Sequence, residues 1–337
     1  MKSLLSILTF LFVSVLIYFG GALGLIAFGR QGAGDSEEPG LSFRELVADD
    51  SGLPPLEPYP ARDGATLWYR AYGDPCDKVL VLLHGSGWHS RYFLPLAAFL
   101  SSRGVARVYT PDLRGHGPKT RRRGDVDSFH RLEDDLADLV AFVRQENPDA
   151  VLVVGGHSSG GGLAIRFAGS RHGGLADAFL LLSPFLKYNA PTMRPESGGW
   201  ARPHVPRIIG LTLLNNVGIH ALDSLTAIEF NLPERFRDGT ETLAYSHRLN
   251  TALTPRNYKT DLRAVTQPLL VVAGTADEAF LADRFEPAIS PYAAARFELL
   301  PGVTHMGVVV GPEVRPVVRD WINGRGRPGS EDPEGSG

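Results

Sequence analysis

Residues 150–162 read Ala150-Val-Leu-Val-Val-Gly-Gly-His-Ser-Ser-Gly-Gly-Gly162. An apolar run of strand length enters a glycine-rich turn, and Leu163-Ala-Ile-Arg-Phe-Ala168 continues with helical character. Gly156-x-Ser158-x-Gly160 between a strand and a helix is the pattern of a sharp elbow that holds a serine hydroxyl exposed. Its flanking residues must be small because neighbouring backbone packs there. The amino terminus of the following helix favours negative charge developing beside the serine. Ser159 is the adjacent rival, but its neighbours two residues away are His157 and Gly161, so the pattern selects Ser158.

Outward from this turn, short apolar runs recur at Lys78–Leu83, Ala106–Tyr109, Ala178–Leu182, Leu269–Val272 and Arg296–Leu300. Their length is that of buried parallel strands. Thr66–Arg70 reads as an antiparallel strand entering the sheet. Between the runs, Arg91–Ser102, Phe129–Arg144, Gly160–Gly169 and Val314–Trp321 carry apolar residues at helical spacing. Strand alternating with helix predicts an α/β fold, a mostly parallel sheet with helices on both faces. From Pro184 to Pro268 the rhythm breaks into short helical patterns without a clear strand, which predicts an inserted cap.

A serine hydroxyl needs a base, and the chain has ten histidines. His305, in Pro301-Gly-Val-Thr-His-Met-Gly307, follows the last strand and precedes the final helix, at the sheet edge where catalytic groups sit. A carboxylate should orient that imidazole. Asp277 follows the Leu269 strand, with Glu278 its nearest rival. The chain order Ser158, Asp277, His305 agrees with the elbow pattern. Two backbone amides should hold the oxyanion: that of Ser159, and that of Ser86 in the turn His84-Gly-Ser-Gly-Trp88.

These residues together resemble the α/β-hydrolase superfamily, in its branch of lysophospholipases, monoacylglycerol lipases and serine aminopeptidases. The resemblance covers about residues 53–323 and rests on His84-Gly-Ser-Gly87, Pro111-Asp-Leu-Arg-Gly-His-Gly117, Gly156-His-Ser-Ser-Gly160, Gly274-Thr-Ala-Asp277 and Thr304-His305. It implies an eight-stranded core with the cap after the sixth strand. It also implies a serine hydrolase acting on carboxylic esters through an acyl-enzyme, with no metal or organic cofactor. Ser158 excludes the relatives that use aspartate or cysteine as nucleophile. The Gly85-Ser86-Gly87 turn departs from the Gly-Gly-Pro turn of proline iminopeptidases. A peptidase of the same fold would need an acidic cap residue to grip a free amino group, with Glu196, Glu229 and Glu234 as candidates. A non-catalytic ligand sensor is the other alternative.

Composition sets outer bounds. Lys and Arg total 34 against 37 Asp and Glu, a balance that argues against nucleic acid as partner. The lone Cys76 excludes an internal disulfide framework and a cysteine-based zinc site. Leu4–Phe28 carries no charge and is long enough for a membrane-spanning helix. It is longer than the apolar core of a secretory signal, so residues 1–30 read as an uncleaved single-pass anchor. The flanking charges Lys2 and Arg30 put the catalytic domain outside the cytoplasm by a weak positive-inside bias. Residues 31–42 read as a flexible linker, 43–323 as the hydrolase domain with its cap at about 184–268, and 324–337 as a disordered tail.

Substrate signals are sparse. The apolar cap stretches Ile208–Leu214 and Val217–Leu225 read as core packing, or as cover for an acyl-chain pocket. Lys119-Thr-Arg-Arg-Arg123 reads as a solvated loop, or as a contact for anionic lipid headgroups.

Overall fold

The computed structural model describes residues 2–29, 40–43, 46, 50–195 and 199–326. Eight strands form the central sheet: β1 (Glu57–Pro60), β2 (Thr66–Tyr72), β3 (Lys78–Leu83), β4 (Arg107–Asp112), β5 (Val151–His157) and β6 (Ala178–Leu182), followed beyond the cap by two more. The cap holds three short strands, β7 (Ala201–Pro203), β8 (Thr226–Phe230) and β9 (Ala244–Ser246), and the chain returns to the sheet with β10 (Leu269–Gly274) and β11 (Arg296–Leu300). The sheet order is β1-β2-β4-β3-β5-β6-β10-β11. Strand β2 runs antiparallel to both neighbours and the other pairings are parallel.

The inner strands are apolar at nearly every position because helices cover both faces of the sheet. Every residue of β5, β6 and β10 is buried. The helices outside the cap start with α1 (Lys2–Phe28), α2 (Leu94–Ser102), α3 (Arg131–Glu146) and α4 (Ser159–Ala168). The cap contributes α5 (Val205–Asn216), α6 (His247–Leu253) and α7 (Tyr258–Arg263). The last third adds α8 (Phe285–Ile289), α9 (Gly307–Val310) and α10 (Val314–Asn323). Helices α2, α9 and α10 contact one another, and α4 contacts α3, α6 and α7.

Two expectations need correction. The interval after β6 contains strands: β7, β8 and β9 form a small antiparallel sheet of their own. They run three to five residues, one ends in Pro203, and none has the long apolar run of a core strand. The predicted linker also fails at its end. Leu41, inside it, is 3% exposed and belongs to the main core, as does Phe43, the first residue of the predicted hydrolase domain. The rest of that linker, residues 31–39, lies outside the described residues, as does most of the predicted tail.

Helix α1 is one 27-residue apolar element, about 40 Å long at 1.5 Å per residue. Its carboxyl-terminal third does not stand free. Ala22 and Ile26 are buried against Leu211 and Leu214 of α5, and the Tyr18 hydroxyl donates to the Leu213 carbonyl (2.6 Å). A Cβ on Gly210 would lie 2.5 Å from the Ala22 carbonyl oxygen, so glycine there sets the close approach of the two helices.

Candidate active site

Strand β5 ends at His157 and α4 begins at Ser159, leaving one residue to make the turn. Ser158 makes it at φ 54°, ψ −119°, a conformation L-residues adopt only when their surroundings over-determine it. Here three backbone bonds do so. The Ser158 amide donates to the Leu182 carbonyl (3.0 Å), and the Ser158 carbonyl accepts from Gly162 (3.1 Å) and Phe185 (2.8 Å). The flanking glycines are sterically required. A Cβ on Gly156 would collide with the Gly160 carbonyl, and one on Gly160 with the carbonyls of Leu83 and His84. Ser158 is thereby pressed up from the sheet, half-buried at the cavity floor.

The loop after β10 carries Asp277, and the loop after β11 carries His305. The structure brings them together: His305 Nδ1 lies 2.9 Å from Asp277 Oδ2, and both residues are buried. The other carboxylate oxygen accepts from the amides of Ala279 (2.8 Å) and Phe280 (2.9 Å). Burial pushes the Asp277 carboxyl up, but the neighbouring His305 imidazole and the Phe280 amide outweigh it and leave it below the usual carboxylate range. Asp277 is therefore ionised at neutral pH and holds the proton of the imidazole on Nδ1, which turns Nε2 into the free acceptor. Glu278, the rival, faces elsewhere. Its two oxygens accept from the backbone amides of Ser42 (3.1 Å) and His305 (2.9 Å).

The turn after β3 supplies the opposite rim. The Gly85 amide donates to the Tyr92 hydroxyl (2.5 Å) and the Gly87 amide to the Tyr245 hydroxyl (2.9 Å). Between them, the Ser86 amide has no hydrogen-bond partner among the described residues, and the same holds for the Ser159 amide in the first turn of α4. The side chains of these two residues are bonded to each other at 2.9 Å. Two unpaired donors, from the two segments beside Ser158, are thus held in one place.

Buried histidines brace this rim. His84 Nε2 accepts from the Leu113 amide (3.0 Å) and its Nδ1 donates to the Gly85 carbonyl (2.8 Å); burial pushes its pKa down to about 4. His157 Nδ1 accepts from Tyr92 (3.1 Å) and its Nε2 donates to the His305 carbonyl (3.0 Å). His116 Nε2 accepts from the Tyr245 hydroxyl (2.7 Å). Burial holds His116 and His157 well below the ordinary histidine range as well. Tyr245 comes from cap strand β9, and nothing in its local sequence pattern marks it out. The signal that marks His84 and His116 is their place in glycine turns; the bonds they make are visible only in three dimensions.

The cavity over Ser158 is lined by Leu41, Phe43, Gly85, Ser86, Trp88, Tyr92, His157, Ser158, Trp200, His305 and Met306. No carboxylate is among them. Of the acidic cap candidates, Glu229 is about half exposed and faces His204, Glu234 is exposed, and Glu196 lies outside the described residues. The basic residues of Lys119–Arg123 are exposed, as the solvated-loop reading expects, and two of them also brace the fold. Arg123 donates to the carbonyls of Thr240 and Glu241 in the cap and Gly117 in the core, and Arg122 pairs with Asp125 and Asp127.

Sheet order, elbow and strand-end loops define an α/β-hydrolase. Residues 74–306 match the family described as serine aminopeptidase, S33, and the chain belongs to that family. It is similar to monoglyceride lipase from Homo sapiens, 31% identical over 166 residues, which is 48% of this chain and 52% of that protein. It is also similar to protein phosphatase methylesterase 1 from Bos taurus, 33% identical over 92 residues, 27% of this chain and 24% of the other. The aligned part thus spans about half, or less, of these relatives' length. Among solved structures, a soluble variant of monoglyceride lipase from Saccharomyces cerevisiae, in complex with a substrate analog, superposes with a TM-score of 0.61 at 19% identity. That match covers 80% of this chain and 95% of that one, and carries the fold.

Proposed function

We propose that the chain is a membrane-anchored serine hydrolase that cleaves carboxylic esters with apolar acyl groups, such as monoacylglycerols or lysophospholipids. The observation that carries this reading is the cavity itself. Ser158 and the Asp277-bonded His305 open into a chamber walled by aromatic and aliphatic side chains without a carboxylate among the described residues. An apolar wall suits an acyl chain, and the absence of a lining acid disfavours capture of a free amino terminus. The names of the human and bovine relatives, both esterases in the broad sense, point the same way.

In this mechanism Ser158 Oγ attacks the ester carbonyl while His305 Nε2 takes its proton. Asp277 holds the imidazolium that results. The negative charge gathering on the carbonyl oxygen is met by the amides of Ser86 and Ser159. Such donors contribute about 2.7–4 kcal/mol each in related sites. The tetrahedral species collapses, His305 returns the proton to the leaving alcohol, and an acyl-Ser158 ester remains. Water, deprotonated by the same imidazole, attacks that ester and frees the acid.

The anchor reading rests on α1. Its docking on α5 through Ala22, Ile26 and Tyr18 makes it part of the folded chain, which a segment destined for removal has no need to be. We read the catalytic domain as lying outside the cytoplasm. The test is the full-length chain in detergent, assayed with p-nitrophenyl esters of graded length, monoacylglycerol and lysophospholipid, against Ser158→Ala. Ser158-dependent ester turnover supports the proposal. Cleavage of aminoacyl anilides in preference to esters would replace it with the peptidase, and stoichiometric binding without turnover with the sensor.

A further inference from the structure

The cavity beside Ser158 measures about 20 Å³, room for roughly one water molecule. Small-molecule sites typically offer about 300 Å³ or more. Two of the residues that line this one, Leu41 and Phe43, belong neither to the sheet nor to the cap, but to the chain between helix α1 and strand β1. Phe43 packs on the cap rings of Trp200 (centroids 5.2 Å apart) and Phe236 (5.7 Å). Among the described residues, the Ser42 amide between the two side chains donates to Glu278 Oε1 (3.1 Å), and the Phe43 carbonyl accepts from the Leu46 amide (3.0 Å). The other oxygen of Glu278 takes the amide of His305. A single carboxylate therefore joins this segment to the residue bonded to Asp277.

We propose that Leu41–Phe43 occupies the site of the substrate's acyl chain, that Glu278 latches it there, and that an ester is turned over only when its acyl chain takes the segment's place. This deepens the ester-hydrolase reading and rests on it. The physics of exchange sets a length dependence. Displacing Leu41 and Phe43 exposes two apolar side chains. A long acyl chain replaces that buried area with at least as much of its own, whereas an acetyl or butyryl group does not. The segment thus selects for long acyl chains without a deep preformed tunnel. Neither Leu41 nor Phe43 lies in a helix or strand.

The test locks and then removes the segment, in the full-length chain with Cys76→Ser. Gly40 lies beside Gly199 of the cap, where a Cβ on Gly199 would sit 3.6 Å from the Gly40 Cα. The pair Gly40→Cys with Gly199→Cys is therefore placed to cross-link the segment shut. The oxidised protein should lose at least about tenfold in long-chain ester turnover, and in labelling of Ser158 by an alkyl fluorophosphonate, with both restored by reductant. Equal rates in the two redox states overturn the proposal. Gly199 has φ +79°, so the cross-linked variant could misfold; the pair Leu41→Ala with Phe43→Ala tests the same idea without it. That variant should raise kcat/KM for short-chain esters about tenfold and flatten the preference for long ones. A fall with every ester would mean that the two side chains are a fixed wall, and overturns the proposal. A wild-type chain that neither turns over esters nor takes up the fluorophosphonate fails the serine-hydrolase reading itself, and this inference with it.

Discussion

On the core side of the cavity, Ser158 is held by backbone: three main-chain bonds fix its strained turn, and glycines at 156 and 160 leave space for no side chain. On the opposite side, Phe43, Trp88 and Trp200 close the chamber through side chains drawn from three separate segments, of which only that of Trp200 belongs to the cap. The first kind of wall cannot move without breaking the sheet. The second rests on ring contacts and a few hydrogen bonds, so it can exchange partners. This division suits the proposed acyl transfer, which needs the reacting atoms fixed while a flexible acyl chain is admitted.

The largest effects should come from the fixed side. Ser158→Ala should lower turnover at least about 10³-fold, because the attacking oxygen is gone. Ser159→Ala should cost less than about tenfold, since its amide remains and only the hydroxyl bond to Ser86 is lost. Steady-state rates for the two variants measure this, and equal losses would remove Ser158 from its role.

Next comes the carboxylate pair. Asp277→Asn should cost about 10³-fold or more in kcat, because an amide cannot hold the imidazolium. Glu278→Gln should change kcat only a few-fold and shift KM, since it touches backbone amides of Ser42 and His305 and no reacting atom. Measured kcat and KM for both variants decide it; the reverse pattern would exchange their assignments.

The same division explains what can be read from the chain alone. Ser158, Asp277 and His305 each follow a short apolar run, and a run of that kind announces a strand whose carboxyl end lies at the sheet edge. The eight-stranded sheet is readable for the same reason, apart from β1, whose Glu57-Pro-Tyr-Pro60 has no apolar run to announce it. Tyr245, Trp200 and Phe43 are not readable in this way. Their neighbours show no helical or strand period, and the partners that tie them to the site, His116 and Gly87 for Tyr245 and Trp200 for Phe43, lie about 130 to 160 residues away. Leu41 is the sharpest case: the polar, glycine-containing stretch 31–42 reads as a linker, and what seats Leu41 is a cavity the sequence does not display.

Acidification probes the fixed side through its histidines. The pKa of His84 falls by burial from 6.5 to about 4, and His116 and His157 are also held well below the ordinary value. Above pH 6.5 these groups are neutral in both folded and unfolded chains and contribute nothing. Below it the unfolded chain takes up protons that the folded one refuses, so stability is lost as pH falls from about 6.5 towards 4. His84 alone is worth about 3 kcal/mol across that range, at about 1.4 kcal/mol per pH unit. Urea unfolding of the full chain at pH 7.5 and at pH 5 should show the midpoint falling. A flat midpoint would mean these imidazoles gain solvent or partners that keep them protonated.

An effect of intermediate size lies at a cap hydroxyl that reaches across to the core side. Tyr245 belongs to cap strand β9, yet it accepts the Gly87 amide and donates to His116, both on the core side. Tyr245→Phe keeps the ring, which packs edge-on against Phe230 at 4.6 Å, and removes only the oxygen. The buried Gly87 amide and His116 ring nitrogen then lose a partner each, which costs about 1–3 kcal/mol per group before the loop relaxes. Relaxation of that loop moves Ser86, whose amide lies between the two tyrosine-tethered glycines, off the oxyanion. The expected result is a fall in kcat of about tenfold with KM nearly unchanged, because the lost contact is made to the charge that develops in the transition state. A change in KM alone would instead place Tyr245 with the movable wall, as a residue that shapes the acyl site and leaves the oxyanion untouched.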